Sequence, residues 1–482
     1  MAGDGLGRPA IHVSALAALG LVVFLVGVAH PPLDGDPAMY ATIARTIART
    51  GEWIHLTFNG VPYFNKPPLH FWLNALLFQS LTPTTFTASL IPGLLGVADA
   101  VLIYALCRAT LADWQTALAA SIVYMTTPEV VHWSRGVHIE TLVTFWILIG
   151  LFAAYRSVTD PRAVTLLGVA LLGGWFAKGP QGIFPLAVAT VLWAVEGVLR
   201  RRLLSPWTVV TSAIVAGVIG IWIWVRAETE SGFVHAYFGG QIERTLFEGG
   251  RLERGPFWYL GKLSRSYWPW LPVASAGLVM LARDSRSSLG ARLWLVYSTI
   301  VLLVISAAVG KKTRYLFQLY PALAVAAGVA LGAASRRVPR LPMILLVLAS
   351  VAVLLVATVG GERVSKRQAA HTRDALEVAS ALPTGRPVWL TRATQYGEPQ
   401  LGKIIGFYAR PLLKTCRAQC QRDVRPGSVI VARAGQARRV AMRHGGTIML
   451  RNRSLALITV PGGPVGQVHR QPEPQVGAGD FR

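Results

Sequence analysis

Two carboxylates and a lysine stand near the start of this 482-residue chain. Asp34 and Asp36 lie in PPLDGDPAMYATIARTIARTGEWI, and Lys66 follows in NGVPYFNKPPLHFW. A positioned carboxylate can orient or deprotonate a hydroxyl. A lysine approached through Pro62, Pro67 and Pro68, whose rings restrict the backbone, suits a pyrophosphate or phosphodiester met as a point charge. Tyr40 and Tyr63 bring hydroxyl-bearing rings to the same segment. Each group also has a plainer reading. Asp36-Pro37 opens a run with helical spacing at Met39, Ile43 and Ile47, so Asp36 also suits a helix N-cap. Lys66 also suits snorkelling toward lipid phosphate.

A second set of ionisable groups sits farther along. Glu140, in SRGVHIETLVTFW, lies about a turn inside an apolar run, where an ionisable residue is costly and marks a functional site by default. His138 reads as interfacial, and Asp99 as a buried, hydrogen-bonded or protonated group. Lys178 closes another run in WFAKGPQG. Lys311, Lys312, Arg314 and Tyr315 fill the short connection VGKKTRYLF, and Glu253 and Arg254 precede the aromatic cluster Pro256-Phe257-Trp258-Tyr259. That cluster suits either an interface belt or a platform for a sugar ring.

The elements that must hold these groups are membrane spans. Apolar runs near 14–30, 86–107, 113–130, 137–155, 163–178, 181–198, 207–226, 266–282, 291–309, 315–333 and 341–359 have lengths that cross, or nearly cross, a bilayer. The stretch 68–83 is short and reads as an interfacial or re-entrant helix. With a cytoplasmic N-terminus, the even-numbered spans exit at Arg108, at Arg156 and Arg162, at Arg200–Arg202, at Arg283, Arg286 and Arg292, and at Arg336, Arg337 and Arg340. Five consecutive basic inside loops satisfy the positive-inside rule. The loop 31–85, Lys178, the Lys311–Arg314 turn and the tail from 360 then face outward. Basic clusters on the outer side run against that rule, and an anionic ligand in the outer leaflet is the simplest local reason.

Composition agrees. The chain is 53% hydrophobic and only 15% charged, with mean hydropathy +0.46, against roughly a quarter charged in soluble domains. The net charge of +24 follows the inner loops, and no nucleic-acid motif accompanies it. Residues 361–465 alternate short apolar runs with polar turns, which predicts a small extracytoplasmic α/β domain. Cys416 and Cys420 lie there, as a disulfide or as two thiols. The stretch 466–482 reads as a disordered tail. Residues 1–360, including the first periplasmic loop 31–85, form the expected membrane domain.

DPAMYATIARTIARTGEWI followed by YFNKPPLHFW resembles the first loop of the PMT-type glycosyltransferases of the GT-C fold, and most of all the bacterial aminoarabinose transferases that modify lipid A. The segments KGP, PFWYL…PW and KTRYLFQLYP fall in the same order, so the resemblance covers roughly residues 10–335. It implies a polytopic helical membrane protein of about 11–13 spans. It also implies a donor made of one sugar on a polyprenyl phosphate, undecaprenyl phosphate in a bacterial inner membrane. Asp36 matches the family's catalytic acid and Glu140 a second acidic position. Lys66, Lys178, Lys311, Lys312 and Arg314 match basic positions near the carrier's phosphate. Asn65 replaces a frequent Glu, and Glu253 a frequent His, so a metal site built on those two positions loses its usual ligands. No cofactor is implied with certainty, and a divalent metal stays open.

The expected function is transfer of a single sugar to a lipid A-like lipid, a glycan or a protein at the outer membrane face. The alternative is a polytopic transporter or flippase for a lipid-linked or anionic substrate. It accounts for the spans, Asp99 and Glu140, but calls for internal repeats, and none is evident. A scaffold leaves Asp36, Lys66 and Glu140 without a joint purpose.

Overall fold

The structure, a computed structural model, describes residues 7–29, 32–243, 254–338, 366–397, 401–416, 420 and 423–462. The span expected at 341–359, the tail 466–482 and Glu253 lie outside the described residues. The chain divides into two compact units.

The first unit comprises Met1–Pro31, Gly51–Leu56 and Tyr63–Glu362. Each span expected between residues 14 and 333 contains a helix, among them Thr85–Leu111, Glu140–Ser157, Ala163–Lys178, Pro206–Thr229 and Tyr320–Arg337. Among the described residues, five helical stretches are long and apolar enough to cross a membrane. Their core is continuous and rich in Ala, Leu and Val. Helices with lipid-like neighbours associate by close packing rather than by the hydrophobic effect, so small residues sit where they meet. Gly277 shows this directly: a Cβ there would come 1.7 Å from the Ala326 carbonyl oxygen. The apolar window of Pro206–Thr229 has no buried residue, the surface of a helix facing hydrocarbon. The stretch expected at the interface forms the helix Leu69–Ser80.

Contacts sort the helix ends into two sets. Arg202 donates to the Val158 carbonyl at 2.7 Å, Arg292 pairs with Glu196 at 3.0 Å, Arg336 pairs with Asp113 at 3.2 Å, and Trp294 donates to Thr110 at 3.0 Å. These ends carry the arginines expected inside. Glu140, Lys178 and residues 311–315 belong to the other ends of their helices, as alternate crossing requires.

The second unit comprises Pro32–Thr50, Thr57–Pro62 and Arg363–Arg482. It holds the expected α/β domain. Its sheet runs β4 (Leu413–Thr415), β3 (Val388–Leu390), β5 (Val429–Arg433), β7 (Leu455–Thr459), β6 (Thr447–Arg451). β3 pairs in parallel with β4 and β5, while β7 is antiparallel to β5 and β6. Successive strand residues point to opposite faces. Val429 and Val431 accordingly enter one core with Leu390 and Ile405, and Ile430 and Ala432 enter another with Ala441. Cys416 and Cys420 form a disulfide.

The first loop is therefore divided. Its helix Gly35–Thr50 and its hairpin, β1 (Thr57–Phe58) and β2 (Val61–Pro62), belong with the C-terminal residues, whereas sequence alone had assigned all of 31–85 to the membrane domain. The hairpin turns through Asn59 and Gly60, both at positive φ, the conformation that favours an Asn-Gly pair. Asn59 is buried and donates to Gln395 Oε1 and to the Gly402 carbonyl, each at 2.9 Å. One expectation is corrected. The helix begins at Gly35, so Asp36 lies in its first turn rather than at the cap, and it is the Asp34 carbonyl that accepts from Ala38 N at 3.2 Å.

Candidate active site

In the first unit, Glu140 and Lys178 form the centre of a polar cluster. Glu140 opens the helix Glu140–Ser157 and Lys178 ends the helix Ala163–Lys178. A carboxylate at a helix N-terminus and a cation at a C-terminus each meet a favourable dipole. Lys178 Nζ donates to Glu140 Oε1 at 3.0 Å, and the Ile139 amide donates to Glu140 Oε2 at 3.0 Å. Both side chains are buried. Burial of a charge is tolerated only when it is paired and hydrogen-bonded, and this pair meets both conditions. Lys178 also lies over the Tyr315 ring, 5.8 Å from its centre.

Lys66 adds a third charge. It stands half-buried in the loop before Leu69–Ser80. Burial, and behind it the positive charges of Arg314, Lys178 and Lys312, pull its ammonium from the usual lysine range down to about 7, while Glu140 opposes them. Four cations thus act on one another around a single carboxylate. Such crowding disfavours the charged forms unless an anion joins them.

Neighbouring groups fix this arrangement. Lys311 is buried, and its Nζ donates to the Ala308 carbonyl at 2.7 Å, so it closes its own turn. The Tyr259 hydroxyl accepts from Lys312 N at 3.2 Å and donates to the Lys312 carbonyl at 3.1 Å. Arg254 donates to the Lys311 carbonyl and lies 4.4 Å from the Trp258 ring centre, with Lys262 at 5.5 Å from the same ring. Trp258 is therefore a platform for cations in this structure. Tyr63 is buried, edge-on to Phe71.

Arg226 escaped the sequence reading. It ends the helix Pro206–Thr229, is almost wholly buried, pairs with Glu230 and donates to the Ile54 carbonyl at 3.0 Å. Its guanidinium lies 4.7 Å from the Phe233 ring centre and 5.9 Å from that of Phe64. Phe64 is two residues from Lys66, so Arg226 ties down the loop that carries it. The available signal was one more basic residue at an outer span end. Asp99, by contrast, accepts from the Tyr124 hydroxyl at 3.2 Å inside the helical core and does not join the cluster. His138 packs on Trp133, with ring centres 4.5 Å apart.

In the second unit, Asp36 accepts from Lys403 Nζ at 2.8 Å. Tyr40 is buried in the same helix. The structure thus brings Lys66, Glu140, Lys178, Lys312, Arg314 and Tyr315 together in one unit, and assigns Asp34, Asp36 and Tyr40 to the other.

Residues 65–224 match the family model described as dolichyl-phosphate-mannose-protein mannosyltransferase. Superposed on the ArnT of Cupriavidus metallidurans bound to undecaprenyl phosphate, the chain gives a TM-score of 0.73 at 16% identity, covering 94% of this chain and 99% of that one. The chain therefore shares the fold of that structure. The undecaprenyl phosphate-alpha-4-amino-4-deoxy-L-arabinose arabinosyl transferase of Pectobacterium carotovorum is 26% identical over 309 residues, 61% of this chain and 55% of that protein. Its counterpart in Aeromonas hydrophila is 25% identical over 324 residues, 64% and 58% of the two chains. The chain spans about half the length of the curated relatives it matches.

A divalent metal was left open by the sequence. Among the described residues, no three His, Cys, Asp or Glu side chains gather in a way that could hold a metal ion, and Asn65 offers only an amide.

Proposed function

We propose that this protein is a membrane glycosyltransferase that moves one sugar from a polyprenyl phosphate carrier to an acceptor at the outer face of the bacterial cytoplasmic membrane. The observation that carries this reading is the cluster of Lys66, Lys178, Lys312 and Arg314 around Glu140, at the ends of apolar helices. A lipid-linked phosphate presented at that depth supplies the anion the cluster calls for. The GT-C fold and the donors named for the relatives favour undecaprenyl phosphate as the carrier, with aminoarabinose as the first sugar to try and a lipid A-like lipid as the first acceptor.

The chemistry follows from charge. The bond between the anomeric carbon and the phosphate oxygen breaks, and its electron pair stays on the phosphate. Cations already fixed around that oxygen stabilise the developing charge without reorganising. The acceptor oxygen attacks from the opposite side, so one displacement inverts the anomeric centre. Asp36 orients the acceptor and takes the proton of a hydroxyl. With a phosphate acceptor it mainly positions. Both Glu140 oxygens are engaged, which favours a positioning role for Glu140 through Lys178.

The test is mass spectrometry of lipids and envelope glycans from cells with wild-type protein, with Asp36→Asn, or with neither. A sugar increment confined to wild type is expected. Inserted wild-type protein, with donor lipid present and no increment, would reject the enzyme and favour the transporter.

A further inference from the structure

Lys403 occupies a place where a lysine is poorly accommodated. It lies in the helix Leu401–Tyr408, whose Leu401, Ile404, Ile405 and Phe407 are buried. Its side chain is only 14% exposed, and an ammonium so covered needs an anion. Its partner is Asp36, 367 residues away in the chain, whose side chain keeps 37% exposure.

The segments around this pair hold it in place. Arg45, buried in the Asp36 helix, donates to the carbonyls of Gly406 and Phe407 at 2.6 and 2.7 Å and also to that of Ala409. It thereby satisfies the carbonyls that a helix C-terminus leaves open. The Tyr408 hydroxyl accepts from Leu33 N at 2.7 Å, and Asn59 reaches Gly402 at the other end of the same helix. Close approach is required here: a Cβ on Gly406 would come 2.8 Å from Asn59 Oδ1. Residues 33–59 therefore grip both ends of Leu401–Tyr408, and Lys403 faces Asp36 from between those anchors.

We infer that Lys403 is a positioning residue for the proposed reaction, orienting the Asp36 carboxylate as an anion toward the acceptor. This rests on the glycosyltransferase reading given above. It also assigns a role to the C-terminal segment, which the sequence left without one: that segment completes the setting of the proposed catalytic carboxylate. Pairing fixes one carboxylate oxygen. It also offsets the negative charge that an acceptor phosphate would otherwise meet.

The experiment uses the purified full chain in proteoliposomes, with undecaprenyl phosphate-aminoarabinose as donor and lipid A as acceptor. Lys403→Ala is expected to lower kcat by about tenfold or more, with the donor KM little changed. Lys403→Arg, which keeps the charge, should recover most of the rate, and both variants should melt with the wild type. Unchanged kinetics in Lys403→Ala overturns the inference. So does a loss that follows a lowered melting temperature and that arginine does not repair, since that marks a structural contact. Absence of transfer by the wild-type protein removes the glycosyltransferase reading itself, and is seen before any variant is compared.

Discussion

Lys66 is the residue whose ionisation carries the most information. With its ammonium held at about 7, it is charged below that pH and largely neutral above it in the empty site. A bound phosphodiester favours the charged form, so binding draws in a proton above pH 7. Donor affinity is therefore expected to be highest below about pH 7 and to fall as pH rises past it, by up to roughly tenfold per pH unit for one linked proton. Lys66→Arg should flatten the profile, because a guanidinium stays charged throughout. Titration of a polyprenyl phosphate sugar from pH 6 to 9 checks both. A flat wild-type curve removes Lys66 from the phosphate site. The type and setting of Lys66, between prolines and aromatics, were legible in the sequence. Its depressed ionisation was not, because that depends first on burial and then on Arg314, Lys178 and Lys312, which only folding brings near.

At the scale of elements, a helix end helps to secure the loop bearing Lys66. Arg226 bridges Glu230, the Ile54 carbonyl and the rings of Phe64 and Phe233. Arg226→Met leaves Glu230 covered and without its guanidinium. Breaking one partner of a buried pair typically costs about 3–5 kcal/mol. Thermal unfolding in detergent should show a clear destabilisation, and the donor KM should rise more than kcat falls. A stable variant with an unchanged donor KM would detach Arg226 from the loop's placement. The spans themselves were readable, since a run of apolar residues reports its own helix. The helix carrying Asp36 was readable from its spacing. Its start was misplaced, because a backbone turn at Gly35 set the boundary rather than the Asp36 side chain.

For the whole molecule, we propose from the arginine pattern that the N-terminus is cytoplasmic and the C-terminal residues lie outside. A cysteine or epitope tag placed after residue 360 should react with a reagent that cannot cross the membrane, in intact spheroplasts. Protection of that tag until the cells are lysed would reverse the orientation. Composition, span positions, the loop order and the GT-C resemblance were determined by the sequence alone, because hydropathy and charge act locally and survive being read in one dimension. The partners of the ionisable groups were decided by tertiary structure. Glu140 meets Lys178 across 38 residues, and Asp36 meets Lys403 across 367. A pairing energy depends on distance in space, and nothing in the local sequence around Asp36 names a lysine in an apolar helix near the other end of the chain. The same reason divides the first loop: its helix and hairpin bury Arg45 and Asn59 against C-terminal carbonyls, and those carbonyls exist as a site only once both segments have folded.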